Sequence, residues 1–421
     1  MDKKFTGMFR SLSVRNFRLF TAGQVLSATG TWMMIMAQDW LVLALTGDSG
    51  VALGTVTALQ FAPILLLTLY GGRLADRYDK RRLLTAANLA SGALAGLLSL
   101  LQLCGALQLW HVYLFTLALG VVNAVEIPTR MSFVSELVGP ELLPNASALS
   151  AAYFNVARIT APAVGGLLIA SVGVGPVMLL NAVSYLATVL ALRRMRPSEY
   201  RLAARRPERP RVVDGLRYAR SSPDLLLVLA LVAVISLFGL NFQLTLPLMA
   251  KTVFHTDATA FGLLTTAFAA GSLLAALATT ARRGRPSAGT VTFTAVAFGV
   301  LTTAAGWAPG SLSAALLLAL TGFSASYFAQ AANHRIQLGS DPQYRGRVMA
   351  LYTLVLQGST PFGALLVGWL SEGFGARSGL LVGGLVSLAA AVAAYAVQCA
   401  WDRRTQPTVP LSPSSSSSSP S

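Results

Sequence analysis

Hydrophobic and polar positions alternate along this chain in long blocks. Apolar runs begin near Phe17, Val51, Leu83, Val112, Pro144 and Pro176, and again near Leu225, Thr259, Gly289, Leu312, Val348 and Gly379. Each lasts about 20 to 27 residues, enough to cross a hydrocarbon core of about 30 Å at 1.5 Å per residue. Glycine and proline recur inside the runs, at Pro63, Pro162, Pro247 and Pro361 among others, as membrane helices tolerate. The pattern predicts an all-α integral membrane protein with twelve transmembrane helices in two pseudo-symmetric six-helix bundles. The expected division is a leading segment 1–16, a first bundle 17–194, a basic linker 195–223, a second bundle 224–401 and a tail 402–421.

Charge orients this arrangement. Lysine and arginine crowd the amino terminus (Lys3, Lys4, Arg10, Arg15, Arg18), the second loop, the central linker, the eighth loop (Arg282, Arg283, Arg285), the tenth (Arg335, Arg345, Arg347) and the end of the last run (Arg403, Arg404). The odd-numbered loops carry only Lys251 and Arg377. Basic loops stay on the cytoplasmic side, so both termini are expected there, in the plasma (inner) membrane. The linker holds Pro207 and Pro210, and a short interfacial helix is expected at 212–220. The tail, TQPTVPLSPSSSSSSPS, is a Ser/Pro low-complexity segment expected to be disordered and cytoplasmic.

Composition sharpens the class. Of 421 residues, 54% are hydrophobic and only 11% charged, against about 25% charged in a soluble domain. The net charge of +16 sits in bursts between apolar runs rather than on a folded basic face, which argues for topology and against nucleic acid. Cys104 and Cys399 lie far apart in apolar runs, with no metal-ligand spacing. No metal site and no bound cofactor are expected. The first run is too long for the apolar core of a signal peptide.

The two halves echo each other: PELLPNASAL at 140–149 and PQYRGRVMAL at 342–351 share a Pro and a final Ala-Leu, each after an Arg placed at the end of the preceding helix, Arg130 and Arg335. Two six-helix repeats around a mid-membrane site describe many secondary transporters. The segment GGRLADRYDKRRLL resembles the signature between the second and third helices of the major facilitator superfamily, with Gly72, Leu74, Ala75, Asp76, Arg77, Lys80, Arg81 and Leu84 on pattern and Asp79 in place of a glycine. RITAPAVGG resembles the fifth-helix antiporter signature through Pro162, Gly165 and Gly166, with Ala161 in place of its first glycine. NFRLFTAGQVLSATGTW, ELVGPELLPNASAL and YRGRVMALYTLV are similar to the twelve-helix drug and siderophore exporter branch.

The resemblance implies alternating access, energised by the proton gradient, with small amphipathic cargo, a lipid bilayer setting and a monomeric carrier. It places Asp76 beside the N-terminus of the eleventh helix, where the partial positive charge of the helix end and Arg347 would hold the halves together while the other side is open. Arg77, Lys80 and Arg81 would orient Asp76 or simply anchor topology.

Charges inside the bilayer cost about 2.5–3.5 kcal/mol on insertion scales, so each is a functional candidate. Asp39 and Glu126 are the candidate proton carriers, with Arg130 and Arg158 as charge partners. Glu126 and Arg130 are spaced i,i+4 for pairing, and a static ion pair is the competing reading. Asp39 reaches either the cavity or outer-leaflet water. Arg158 serves either the cavity or carbonyls freed by Pro162. The second half offers Asn241, Gln243, Gln330, Asn333 and Gln357 as candidate cavity polar groups and no intramembrane acid; His334 reads as an interface residue. Trp32, Phe61, Tyr153, Phe154, Phe238, Phe242, Tyr327 and Phe328 suit apolar cargo or ordinary packing.

The leading expectation is proton-coupled efflux of drugs or antibiotics. Within the same class stand a siderophore or metabolite exporter and an importer. A non-transporting receptor or a membrane enzyme is the rival from another class; against the enzyme, the chain has no HExxH, GxSxG or P-loop.

Overall fold

The computed structural model describes residues 7, 9–200, 212–280 and 284–405. Lys3, Lys4, the linker arginines at 201–211, Arg282, Arg283 and the tail beyond Thr405 lie outside the described residues. The first half comprises α1 (Arg15–Thr46), α2 (Gly50–Arg77), α3 (Lys80–Leu103), α4 (Leu109–Val138), α5 (Leu143–Val172) and α6 (Val174–Arg193). The second comprises α7 (Pro223–Val253), α8 (Ala258–Thr280), α9 (Ala288–Gly306), α10 (Ser311–Gly339), α11 (Pro342–Phe374) and α12 (Arg377–Thr405). Eleven of these helices are long and apolar enough to span a membrane. The remaining one, α1, is 32 residues long and carries buried Gln24, Gln38 and Asp39 among its apolar residues.

Most helices begin within three residues of the expected positions. α11 starts at Pro342, well before Val348, because a proline at the first helical position and Arg345 and Arg347 after it form a polar turn ahead of the apolar run. Arg130 is a second correction. It lies about two turns before the end of α4 at Val138 rather than at it, whereas Arg335 stands about one turn before the end of α10 at Gly339. The expected linker helix is present at Val212–Ser221 and rests on the start of α11: Tyr218 stacks on Tyr344 with centroids 4.6 Å apart and its hydroxyl accepts from the Asp341 amide.

Within each half the closest helix pairs are α2 with α4 and α8 with α10, and glycines make both possible. A Cβ on Gly71 would stand 2.0 Å from the Ala124 carbonyl oxygen, and one on Gly271 would stand 1.8 Å from that of Ala319. The halves join through α2 against α11 and α5 against α8. Here the seams repeat each other. Gly368 lies on Gly50 and Gly54, and Gly166 lies on Ala258 and Gly262, with virtual Cβ distances of 2.6 and 2.4 Å to the opposing carbonyl oxygens. Side chains larger than hydrogen would push these helices apart.

Both seams occupy the ends of the helices away from the chain termini. Glu372 reinforces that end by accepting from the Ser49 hydroxyl at 2.8 Å and the Val51 amide at 3.2 Å, and Lys251 pairs with Asp48 at 2.6 Å. On the terminus side, among the described residues, no comparable seam joins α4 and α5 to α10 and α11. The molecule is therefore closed at one end.

Candidate functional site: a central cavity between the halves

A cavity of about 360 Å³ opens between the halves. Trp32, Ile35, Met36 and Asp39 line it from α1, and Arg158 and Pro162 from α5. The second half contributes an apolar and aromatic wall that includes Leu240, Phe242, Phe261, Phe268 and Leu356. Two helix breaks deliver part of that wall. α7 loosens into π turns at Ile235–Gly239 and Met249–Val253, and Leu240, Phe242, Gln243 and Leu246 face the cavity between them. α11 is interrupted at Ser359, and Leu356 and Thr360 flank the interruption. Discontinuous helices are where transporters commonly place ligand groups.

Buried polar atoms nearly always find hydrogen-bond partners, so those that do not call for a reason. Four such atoms belong to residues lining this cavity: Asp39 Oδ1, Arg158 Nε, Trp32 Nε1 and Gln243 Nε2. Asp39 is 1% exposed, inside the protein rather than in outer-leaflet water. Among the described residues no ion pair joins Asp39 to Arg158, although both line the same space. Nor does Arg158 donate to a carbonyl loosened by Pro162. Thr266 of α8 donates to the neighbouring Ile159 carbonyl at 2.9 Å.

Glu126 and Arg130 stand apart from the cavity lining. They pair with each other at 3.0 Å, with Tyr153 of α5 beside the arginine. Among the described second-half amides, Gln243 alone lines the cavity. Asn241 donates to the Leu237 carbonyl at 2.8 Å and packs on Gly363, Gln330 accepts from Thr279, Asn333 neighbours Tyr352, and Gln357 is exposed. Among the aromatics, Trp32 and Phe242 face the cavity, Phe154 packs edge-on against Trp32 at 6.0 Å, and Phe328 is fully buried. His334 is exposed.

The second loop is more structural than its charge suggests. Asp79 caps α3 by accepting from the Arg82 amide at 2.8 Å, which explains an acid where a glycine was expected. Lys80 pairs with Glu136 of α4, and Arg81 donates to the Leu192 and Arg193 carbonyls that end α6. Asp76 and Arg77 are exposed at the terminus-side end of α2, and Gly72 has open space where a side chain would be. In the antiporter-like motif, Gly166 and the Pro162 carbonyl form the α5–α8 seam, while Gly165 lies against Met33 of α1.

Sequence reasoning missed two groups. One is the closed end: Asp48, Lys251, Ser49, Glu372 and the Trp40–Phe261 stack at 6.2 Å, over which Lys251 lies at 5.7 Å from the Trp40 ring. A lone lysine at the end of an apolar run, in one of the connections otherwise poor in basic residues, was the available signal. The other is Asp224, which gathers Arg285 and Arg335 at 2.6 Å each at the start of α7.

Comparison with known proteins agrees with this architecture. A family model described as a transmembrane secretion effector, of the major facilitator type, matches residues 6–412. The chain is 26% identical over 382 residues to the multidrug efflux pump Tap of Mycolicibacterium fortuitum, covering 87% of this chain and 90% of that one. It is 25% identical over 264 residues to the staphyloferrin A transporter of Staphylococcus aureus, covering 62% and 66% respectively, and 22% identical to macrolide efflux protein A of Streptococcus pyogenes over 89% and 94%. Among solved structures, the nucleoside transporter NupG superposes with a TM-score of 0.72 at 11% identity, covering 91% of this chain and 99% of that one. An inward-facing bacterial homologue of the iron transporter ferroportin gives 0.68 at 17%, covering 92% and 98%.

Proposed function

The chain belongs to the transmembrane secretion effector family of the major facilitator superfamily, and on that premise we propose that it exports small amphipathic molecules in exchange for protons. It is a multi-pass membrane transporter, not an enzyme. The observation that carries the proposal is a buried acid, Asp39, without a hydrogen-bond partner on Oδ1, in an apolar cavity that is sealed at one end.

Basic loops place the terminus side in the cytoplasm, in an inner membrane, with both termini inside. On this reading the open end faces the cytoplasm and receives cargo from it. Rocking of the halves about the α2–α11 and α5–α8 seams opens the far end. Asp76, against the start of α11, then holds the terminus side shut, with Arg77 and Gly72 beside it. Protonation of Asp39 from outside displaces the cargo, and proton release inside resets the carrier. No bound cofactor enters this cycle, and a monomer in the bilayer suffices. Glu126 is the second candidate for the proton, with Arg130 as its partner.

The similarity to pumps named for multidrug and macrolide efflux supports broad amphipathic cargo, and the aromatic wall suits it. A second reading, export of a single siderophore-like metabolite, draws on the similarity to the staphyloferrin A transporter. The test is efflux of lipophilic dyes and antibiotics from expressing cells, with and without an uncoupler. Uncoupler-sensitive efflux lost in Asp39→Asn but kept in Glu126→Gln is expected. Efflux that survives Asp39→Asn sinks the coupling assignment. A well-folded protein that exports none of the panel favours the single-metabolite reading.

A further inference from the structure

Resting on the export reading, we infer that the preferred cargo is an elongated zwitterion. Its cationic group binds Asp39, its anionic group binds Arg158, and its aromatic or aliphatic body lies on α7 and α8. The argument starts from an unusual pairing of facts. A buried acid and a half-buried base share one cavity, yet among the described residues no ion pair joins them, and each keeps a buried polar atom without a partner. Two opposite charges left apart in a low-dielectric space are each costly unless something else compensates them. A cation alone would meet Asp39 but face the Arg158 guanidinium, and an anion alone would face the reverse conflict. A molecule carrying both charges satisfies both sites at once.

The order of the two sites follows from the helices. Trp40, next to Asp39, stacks on Phe261, and Lys251 and Asp48 lie just beyond, so Asp39 is near the sealed end. Arg158 stands one turn nearer the termini than Pro162, whose carbonyl meets Gly262 in the α5–α8 seam. Cargo from the terminus side therefore advances with its cationic end first. Trp32 Nε1 and Gln243 Nε2 add two donors without partners along the way, suited to acceptor oxygens on the body or the anionic end. Opposite these groups, Leu240, Phe242, Leu246, Phe261 and Phe268 present no charge. The first half thus reads charge and the second reads shape. The volume of about 360 Å³ fits the lower range of small-molecule sites.

Three forms of one scaffold test this: norfloxacin as the zwitterion, its ethyl ester as the cation and its N-acetyl derivative as the anion. Binding to purified protein is read by quenching of tryptophan fluorescence, with transport into proteoliposomes alongside. The zwitterion should bind at least tenfold tighter than either analogue. In Arg158→Gln the zwitterion and ester should bind alike, and in Asp39→Asn the zwitterion and N-acetyl form should bind alike. Retained binding of the matching analogue shows that each variant is folded. Ester binding as tight as the zwitterion in the wild type overturns the inference, as does failure of all three to bind. Transport of all three at equal affinity overturns it too, while leaving the export reading in place. If the zwitterion is selected in binding but not moved, the site assignment stands and export fails.

Discussion

The two six-helix halves share a scaffold and differ in chemistry. Their glycine contacts recur at equivalent places: Gly71 on Ala124 and Gly271 on Ala319 inside the halves, and Gly368 on Gly50 and Gly166 on Ala258 between them. The ionisable groups of the cavity do not recur. Asp39 and Arg158 both come from the first half, and the second supplies a broken α7 with Phe242 and Gln243 in their place. Repetition therefore serves the motion, which needs two equal seams, while divergence serves recognition, which needs two unlike walls.

The seams are where this comparison breaks most sharply. Gly166→Ala and Gly368→Ala each put a methyl group against a carbonyl oxygen, at 2.4 and 2.6 Å, and neither backbone can yield without parting the halves. Each should lower transport by more than tenfold, and the two losses should agree within a factor of about three. Gly96→Ala, with its nearest neighbour at 3.8 Å, is the control that should retain activity. A seam that tolerates its methyl while the other does not would mean that the halves do not rock as equals.

Next comes the unlike chemistry. Asp39→Asn should reduce uncoupler-sensitive efflux by tenfold or more. Gln243→Ala, on the other wall of the same cavity, should weaken apparent cargo affinity only a few-fold, because it removes a neutral hydrogen bond worth about 1 kcal/mol. Comparable losses in both, measured as initial rates over a range of cargo concentrations, would contradict a charge-reading first half.

How much of this was legible beforehand follows the same division. Helix positions were, because apolar runs of membrane length and basic loops are properties of the linear sequence. The start of α11 was not, since Pro342 and the following arginines begin the helix before the apolar run does. Asp39 and Arg158 stood out as charges in apolar runs, and both reached the cavity. Glu126 and Arg130 stood out equally and turned to each other instead, a choice made by packing around α4 that spacing alone leaves open. Lys80 and Arg81 were expected to orient Asp76 or to anchor topology; their contacts to the ends of α4 and α6, between positions 56 and 111 residues apart, are not legible in the linear sequence. The Lys251–Asp48 pair escaped notice because its members lie 203 residues apart, one at the end of α7 and the other in the α1–α2 loop.

Glu126 and Arg130 allow a cleaner separation of structure from coupling. Their side chains are 17% and 25% exposed, so solvent screens the pair in part. Glu126→Gln leaves the arginine without its acid and should cost about 1–2 kcal/mol in stability, read as an earlier thermal transition in detergent. The double variant Glu126→Gln/Arg130→Gln should recover most of that loss. Efflux restored together with stability identifies a structural ion pair. Stability restored with efflux still absent would move proton coupling from Asp39 to Glu126.

The smallest expected effect concerns the closed end, where the halves differ again: the acid comes from the α1–α2 loop and the base from the end of α7. Asp48 adopts a left-handed backbone, φ 72°, which asparagine tolerates as well as aspartate does, so Asp48→Asn removes the charge without straining the turn. The pair is partly exposed, at 24% for Lys251 and 34% for Asp48, and a contact of this kind contributes at most about 1 kcal/mol. Its loss should therefore shift the balance between the two ends by roughly fivefold toward opening at the far end, where 1.4 kcal/mol corresponds to tenfold. Labelling of a cysteine placed at Trp40 by a membrane-impermeant thiol reagent is a poor choice, since that ring is part of the gate; a cysteine at Ser49 has the same fault, because its hydroxyl holds Glu372. Distance measurement between spin labels at Val51 and Phe374, which are both exposed and stand at the sealed ends of α2 and α11, reads the opening without replacing a latch side chain, since Val51 meets Glu372 only through its backbone amide. A longer-distance population that grows in Asp48→Asn and in Lys251→Gln to the same extent, and no further in the double variant, assigns the effect to the pair itself; additive growth would assign it to the two loops separately.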